Sequence, residues 1–184
     1  MDISEAIGKD RIVYLKGAAH VLPTWEVFEN LFDSAINDVI WGSFATMNID
    51  RSESYSESFD HLVGLAKTLH HGDVASVLSI IHFENSEDNT IPEDAVSLYN
   101  KFKKHNLQQK PHDFTPEMMQ PTIHSDPVDG IFIQCVGKTE WRAYYEDFEQ
   151  AWLVKPGDLL YIPKNVVHSV KTLEPRAAIS IGFI

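Results

Sequence analysis

Cysteine is almost absent from this sequence of 184 residues, in which Cys135 stands alone. A single cysteine cannot form a disulfide within the chain, so no oxidising compartment is indicated. No apolar run approaches the roughly 20 residues that cross a bilayer, and residues 1–11 lack the apolar core of a signal peptide. These absences predict a soluble cytoplasmic protein with no membrane segment.

Positive charge is also scarce. Lysine and arginine total 15 residues against 27 aspartates and glutamates, which gives a formal net charge of −12 and a pI near 5.0. Nucleic acids and anionic membranes both attract clustered Lys and Arg, so we expect affinity for neither. The apolar fraction of 43% suffices for one sizeable core, and we predict a single domain over residues 1–184.

Helix and strand patterns alternate over the first part of the chain, up to about residue 110. Apolar residues recur at helical spacing after Thr24, which suits an N-cap position, and two further segments share this period. Runs rich in β-branched residues lie between them. The predicted helices are residues 24–36, 59–70 and 92–105, and the predicted strands are 11–19, 38–49 around Gly42, and 76–83.

The pattern changes after a proline-containing connector, because residues 121–184 form short strand-like runs separated by Gly, Pro and Asp. Such a series predicts a sandwich or barrel, and the jelly roll, or double-stranded β-helix, is the variety that commonly houses a metal. We therefore expect a mainly β fold with helical decoration, whose core barrel is residues 121–184. Lys-Pro-Gly-Asp at 155–158 suits a type II turn. The predicted strands are 122–126, 130–136, 141–145, 151–154, 159–162, 168–172 and 177–183.

Three side chains in this region have the character of metal ligands. His124 and Asp126 are two positions apart, so both side chains leave the same face of an extended strand. His168 follows another strand-like run and is a third candidate. Two imidazoles and one carboxylate form the facial triad of non-haem Fe(II) sites, which leaves three coordination positions open. A His-x-Asp pair by itself is more often a surface turn, but His168 at this position favours metal binding.

The motifs around these residues resemble those of a known enzyme family. H-S-D at 124–126, Q-C-V-G-K-T-E-W at 134–141 and P-G-D-L-L-Y-I-P at 156–163 are similar to motifs of the JmjC-type cupin oxygenases. The branch of bacterial and nucleolar ribosomal-protein hydroxylases is the most similar one. The resemblance is detailed from residue 121 to residue 184 and loose before it.

This resemblance implies an Fe(II) ion held by His124, Asp126 and His168. It also implies that 2-oxoglutarate chelates the metal and that O₂ takes the remaining position. Oxidative decarboxylation of the cosubstrate would then be coupled to hydroxylation of a C–H bond in a protein side chain or a small metabolite. The contribution of the protein to such chemistry is placement and shielding.

The chain departs from the family at the residue that binds the distal carboxylate of 2-oxoglutarate. The family has a basic residue two positions after the glycine of the turn, where this sequence has Thr139. Lys138 is adjacent but points to the opposite face of an ideal strand, unless a bulge re-aims it. Arg176 is another candidate, because other 2-oxoglutarate oxygenases place an arginine on the last strand. The alternative for Arg176 is a surface charge at the start of a strand.

Strand parity predicts which other residues share the pocket. Gly130, Phe132 and Gln134 face the same way as the ligands, so we expect Phe132 to line the pocket. Gln134 is expected either to support a ligand or to form structural hydrogen bonds. Thr122 and Ser180 are assigned to the same pocket. Trp141 is expected to pack in the barrel, Asp129 to lie in a turn or on the rim, and Cys135 to be a buried apolar residue.

Two further functions stay open beside the oxygenase. Thr139 leaves room for a metal cupin that does not use 2-oxoglutarate, and a non-catalytic ligand-binding cupin is the third alternative. The sequence after the barrel lacks the helical domain of the ribosomal-protein hydroxylases, so we do not expect their substrates or their mode of dimerisation to carry over. A homodimer of another kind stays open.

Overall fold

The described part of the chain is mainly β, as predicted, with three α-helices. The structure is a computed structural model and describes residues 10–34, 39–41, 44–49, 56–83, 90–108 and 123–184. The helices are Trp25–Ser34 (α1), Glu57–Leu69 (α2) and Val96–Gln108 (α3), the last preceded by a 3₁₀ turn at Glu93–Ala95. The strands are Val13–Leu15 (β1), Val39–Trp41 (β2), Phe44–Asn48 (β3), Val74–His82 (β4), Asp129–Val136 (β5), Thr139–Tyr144 (β6), Glu149–Val154 (β7), Leu159–Ile162 (β8), Val167–Thr172 (β9) and Arg176–Phe183 (β10).

The strands form two antiparallel sheets that face each other. The larger sheet has the order β1-β8-β5-β10-β4-β3-β2, and the smaller one has the order β7-β6-β9. Buried side chains from both sheets meet in one apolar cluster between them, which is the barrel interior. Phe132, Leu160 and Ala178 come from the larger sheet, and Trp141 and Val154 come from the smaller one. Two packed antiparallel sheets with this interior are the predicted double-stranded β-helix.

The helices cover the other face of the larger sheet. Each helix presents apolar residues at helical spacing, and these pack with the outward-facing residues of β4, β5, β8 and β10 in a second apolar cluster. The sheet is therefore buried on both faces, which explains why β8 and β10 have almost no exposed positions. None of the described helices has the length and apolar character needed to cross a membrane.

The C-terminal strands β5 to β10 lie within two residues of the predicted boundaries. The first strand predicted there, 122–126, is different: Thr122 lies outside the described residues, and His124 forms only an isolated bridge, to His168. The segment of Gly42 likewise lies outside the described residues, between β2 and β3.

The predicted strand at 11–19 is wrong in length, since β1 spans only Val13–Leu15. The chain turns at Gly17, whose φ of 60° lies in the left-handed region, and the Gly17 N–H donates to the Asp158 carboxylate at 2.8 Å. The same carboxylate accepts from the Tyr14 hydroxyl at 2.7 Å and from the Lys155 N–H at 2.9 Å. Burial and the Asp158 carboxylate raise the pKa of Tyr14 to about 12, so this hydroxyl keeps its proton.

The predicted turn at 155–158 is present. The Asp158 N–H donates to the Lys155 carbonyl at 2.9 Å, and Gly157 has a φ of 89°, as the third position of a type II turn requires. This turn connects β7 of the small sheet to β8 of the large sheet, so it fixes how the chain crosses between the two sheets before it reaches His168.

Candidate metal centre

The two candidate histidines lie side by side on neighbouring backbone segments. The His124 N–H donates to the His168 carbonyl at 2.9 Å, and the His168 N–H donates to the His124 carbonyl at 2.8 Å. This mutual pair is the isolated bridge next to β9. It explains how residues far apart in sequence are held at one end of the barrel, with their ring centroids 4.4 Å apart.

Asp126 completes the group. One ligand atom each from His124, Asp126 and His168 lie within 4.8 Å of one another, and the His168 Nε2 is 3.7 Å from the Asp126 Oδ2. His168 is buried, whereas the Asp126 side chain is 48% exposed and His124 is exposed. The cluster therefore has one side in the barrel and one side open to solvent, which allows a substrate to approach.

The His168 ring is oriented for metal binding. Its Nδ1 lies 2.9 Å from the Val166 carbonyl oxygen, which can only accept, so Nδ1 carries the proton and the Nε2 lone pair points toward Asp126. Burial lowers the pKa of His168 below its ordinary value, which keeps the ring neutral at physiological pH. The Trp141 indole stacks on it, with centroids 5.3 Å apart and planes at 22°.

This donor set fits a divalent transition metal. Two imidazole nitrogens and one carboxylate oxygen are the ligands of the facial triad, and a backbone carbonyl on the non-ligating nitrogen is the usual support of a ligand histidine. An Fe(II) ion would be held by His124, Asp126 and His168. Within the described residues, this is the only cluster of three or more His, Cys, Asp or Glu side chains with such spacing.

A second polar cluster lies deeper in the barrel. Arg176 is only 6% exposed, which corrects the alternative of a surface charge. Its Nε–H donates to the Thr172 hydroxyl at 3.1 Å, and the His82 Nδ1 is 2.9 Å from the same oxygen. Thr172 lies four residues after His168 on the same face of β9, which places the two about 13 Å apart along the strand. Burial and the nearby Arg176 cation lower the pKa of His82 to about 4.

Arg176 has unused capacity for hydrogen bonding. Its Nη1 is buried without a hydrogen-bond partner among the residues that the structure describes. Burial lowers the pKa of the guanidinium to about 10, so it stays charged at neutral pH. A buried cation with an unsatisfied donor is costly unless an anion reaches it. The cluster therefore fits the carboxylate of a bound ligand.

The other two residues predicted near the cosubstrate differ in position: Lys138 lies at the surface, whereas Thr139 is the cross-strand partner of Thr172, beside the Arg176 cluster. Lys138 is 41% exposed and forms an ion pair with Glu174 at the surface. Thr139 is buried and donates to the Gln134 Oε1 at 3.1 Å. The Gln134 amide donates to the Val136 carbonyl at 2.7 Å, so this side chain serves the irregular pairing of β5 with β10 and hydrogen-bonds to no ligand of the triad.

The structure places two of the remaining residues predicted for the pocket on the inward face of the barrel. Phe132 lies in the barrel interior with its ring 4.7 Å from that of Trp141. Ser180 pairs with Phe132 across β10 and β5, on the same inward face as Ala178. Thr122 lies outside the described residues. Cys135 is buried as expected, and burial raises the pKa of its thiol.

A surface cavity of about 420 Å³ adjoins the loop that leads to His168. Its wall includes Val166 and Val167, together with aromatic and charged side chains. The residues in this wall that sequence reasoning undervalued are Asp129 and Tyr161, which are hydrogen-bonded to each other at 3.1 Å. The sequence offered one signal for Asp129, which is a carboxylate three residues after the candidate ligand Asp126.

The fold and the site together define a cupin with a two-histidine, one-carboxylate centre. Residues 97–184, slightly less than half of the chain, match the model of the JmjC domain, and this match confirms the family resemblance of the sequence. None of the curated proteins is significantly similar in sequence to the chain.

Solved structures with the same fold include bacterial oxygenases. The Escherichia coli ribosomal oxygenase YcfD superposes with a TM-score of 0.58 at 17% identity, over 95% of this chain and 48% of that one. A YcfD complex with cobalt and 2-oxoglutarate gives a TM-score of 0.57 at 16% identity, over 95% and 48%. The non-haem α-ketoglutarate-dependent epimerase SnoN of nogalamycin biosynthesis gives 0.55 at 14% identity, over 99% and 81%. The chain thus spans about half the length of YcfD.

Proposed function

We propose that this protein is an Fe(II)- and 2-oxoglutarate-dependent oxygenase that hydroxylates a protein side chain or a small metabolite. The observation that carries the proposal is the convergence of His124, Asp126 and His168 within 4.8 Å at an open end of a JmjC-type barrel. Such a triad leaves coordination positions for a cosubstrate and O₂, which a purely structural metal site does not need.

Arg176 supports 2-oxoglutarate as the cosubstrate. It lies on the inward face of β10, on the same side as the ligands, and its buried Nη1 lacks a partner among the described residues. We infer that this guanidinium would hold the distal carboxylate of bound 2-oxoglutarate. This arrangement supplies the cation that the neutral Thr139 lacks, and so weakens the case for a cupin that does not use 2-oxoglutarate.

The residues around the site would control orientation and water. Bound iron and 2-oxoglutarate would supply the activation of O₂. Trp141 stacks on the inner side of His168 and is itself packed against Phe132, while the Val166 carbonyl keeps the His168 ring in one tautomer. The half-exposed Asp126 and the exposed His124 leave the outer side free for the substrate.

The substrate is proposed only by class. YcfD is described as a ribosomal oxygenase and SnoN as an epimerase, and both share the fold at 14 to 17% identity. The same scaffold therefore serves different reactions, and the residues that select a substrate lie in the loops around the open end.

An anaerobic titration of the Fe(II)-loaded protein with 2-oxoglutarate tests the proposal. Bidentate chelation of iron by the oxo acid produces a weak visible charge-transfer band, which we expect in the wild type and not in His168→Ala. A matched control is His105→Ala, which replaces a histidine of α3 that packs on Phe32 of α1 and should leave the band unchanged.

The other outcomes are equally informative. Fe(II) binding without the band would reject 2-oxoglutarate and favour the other metal cupin. No metal binding by the wild type, or equal binding by His168→Ala, would reject the triad and favour a non-catalytic ligand-binding cupin.

A further inference from the structure

The Asp129 carboxylate, at the start of β5, joins three elements next to the candidate metal centre. Its Oδ1 accepts from the Lys164 N–H at 2.8 Å, in the loop between β8 and β9. Its Oδ2 accepts from the Tyr161 hydroxyl at 3.1 Å, near the end of β8. The same Oδ2 is 3.2 Å from the His70 Nε2, at the C-terminal end of α2. Every one of these contacts requires an acceptor at Asp129.

The contacts of His70 make its Nε2 the donor to Asp129. The Gly72 N–H donates to the His70 Nδ1 at 2.9 Å, so Nδ1 has no proton and Nε2 carries it toward Asp129. The ring packs on Phe183, with centroids 4.3 Å apart, and its other neighbour is Tyr161 at 6.0 Å. Although burial raises the pKa of Asp129, the hydrogen bonds from Lys164, His70 and Tyr161 outweigh it and lower this pKa below its ordinary value. The carboxylate is therefore ionised and accepts from all three.

The loop that Asp129 holds connects directly to the ligands. The next residue after Lys164, Asn165, donates its N–H to the Asp126 carbonyl at 2.7 Å. The consecutive N–H groups of Lys164 and Asn165 thus bind Asp129 and Asp126, respectively. These two aspartates are three residues apart in the segment that follows His124. Asn165 has a φ of 64°, in the left-handed region that few residues other than glycine and asparagine adopt. Its N–H bond to Asp126 and the neighbouring bond from Lys164 to Asp129 hold the loop in that conformation.

We propose that Asp129 is a positioning residue for the metal centre: it fixes the loop at 163–166 against the Asp126 segment, so that the Nε2 of His168 and the carboxylate of Asp126 converge on one ion. The inference rests on the proposed function, because it concerns the metal of that site. Through His70, the same carboxylate connects the metal loop to α2, which otherwise packs on the far side of the large sheet.

The hydrogen-bond pattern explains why a carboxylate is needed. An asparagine at 129 would have one acceptor oxygen and one NH₂ group, and the NH₂ would face a donor whichever way the amide turned. Either the Lys164 N–H or the His70 Nε2–H would lose its acceptor, and in the second case the Tyr161 hydroxyl would have to change from donor to acceptor. Asp129→Asn therefore changes the contacts of the loop at nearly constant volume.

Asp158 provides a matched control. Its carboxylate also accepts three hydrogen bonds, from the Tyr14 hydroxyl, the Gly17 N–H and the Lys155 N–H, and it also joins a loop to neighbouring strands. Asp158 lies at the turn between β7 and β8, and its carboxylate hydrogen-bonds neither to the segment of Asp126 nor to the loop at 163–166. Asp158→Asn should cost stability to the fold in the same way as Asp129→Asn, without the effect on the metal.

The experiment is a Co(II) titration of the full chain, followed by the visible ligand-field absorption of the bound ion and paired with thermal unfolding. Outer contacts of metal ligands typically change metal affinity by about 10- to 100-fold. We expect Asp129→Asn to weaken Co(II) binding by about tenfold or more and to alter the spectrum. We expect Asp158→Asn to lower the unfolding temperature while it keeps the wild-type Co(II) affinity and spectrum.

Two further variants make the result unambiguous. His168→Ala reports on the site itself: if it binds Co(II) like the wild type, the triad and the proposed function both fail. If His168→Ala loses binding and Asp129→Asn keeps the wild-type affinity and spectrum, the positioning role alone is overturned. Tyr161→Phe removes one donor to Oδ2 and tests the role if Asp129→Asn does not fold. For Tyr161→Phe, Co(II) binding that is a few-fold weaker than in the wild type supports the proposal, and wild-type affinity contradicts it.

Discussion

Arg176 carries a positive charge into the barrel, and no carboxylate of the described residues forms an ion pair with it. Burial lowers its pKa to about 10, but that value still leaves the guanidinium protonated at neutral pH. Buried charges are normally paired, so burying this guanidinium without a carboxylate partner costs folding free energy. A bound anion would offset that cost, so binding of the proposed cosubstrate should stabilise the folded protein through Arg176.

Replacing Arg176 with methionine should weaken 2-oxoglutarate binding by about 10- to 100-fold, because a charge-assisted contact is worth roughly 1.5 to 3 kcal/mol. The side-chain volume is similar and an unpaired charge is removed, so the fold should be retained. The anaerobic titration described above measures the affinity. Lys138→Met is the matched control and should bind like the wild type, because Lys138 pairs with Glu174 at the surface. Equal affinities for wild type and Arg176→Met would exclude Arg176 as the carboxylate anchor.

Among the elements, β5 to β10 could be located from the sequence because each is a run of β-forming residues bounded by Gly, Pro or Asp. Strand parity paired His124 with Asp126, and His168 was added because it follows another strand-like run. The structure brings these three side chains together, although His124 forms only an isolated bridge and not a regular strand. The burial of Arg176 and the contacts of Asp129 depend instead on β10, β8 and α2 meeting in space. Nothing in the local pattern around either residue reports those partners, so a surface position was a natural expectation.

The turn between β5 and β6 depends on Gly137, and replacing it with alanine should destabilise the fold by more than about 2 kcal/mol. Gly137 has a φ of 73°, and a Cβ built there would lie 2.1 Å from the Pro175 carbonyl oxygen. The measurement is the midpoint of urea unfolding. Gly64→Ala is the contrasting control: no atom lies within 4 Å of its Cβ position in the exposed face of α2, so it should stabilise by about 0.5 to 1 kcal/mol. Equal midpoints for the two variants would contradict the account of the turn.

At the scale of the whole molecule, the larger sheet is the middle one of three layers. The helices pack on one face of the larger sheet and the smaller sheet packs on the other. A few buried polar groups lie among the apolar residues between the two sheets, among them the cluster of Thr172 and Arg176. His82 is one of them, and it connects the chemistry of the barrel interior to the stability of the entire fold.

Stability should fall on mild acidification because of His82. Its pKa is lowered from 6.5 to about 4 in the folded protein, chiefly by burial and then by Arg176. Between these two values the unfolded chain binds a proton that the folded chain does not, so stability decreases as the pH falls from about 6.5 to about 4, by on the order of 3 kcal/mol. Urea unfolding at a series of pH values measures the effect. His82→Asn should flatten the profile in that window, and an unchanged slope would show that another group is responsible.

The order of the large sheet also has a kinetic consequence. β10 lies between β5 and β4 at the centre of that sheet, and the hydrogen bond from Tyr14 to Asp158 joins residues 144 positions apart. Sheets built from such distant pairs fold slowly, in roughly milliseconds to seconds, because long loops must close before their contacts form. His124 and His168 belong to segments that meet only when the barrel closes. A metal ion would therefore be captured by the nearly completed barrel and would not serve as a nucleus for its folding.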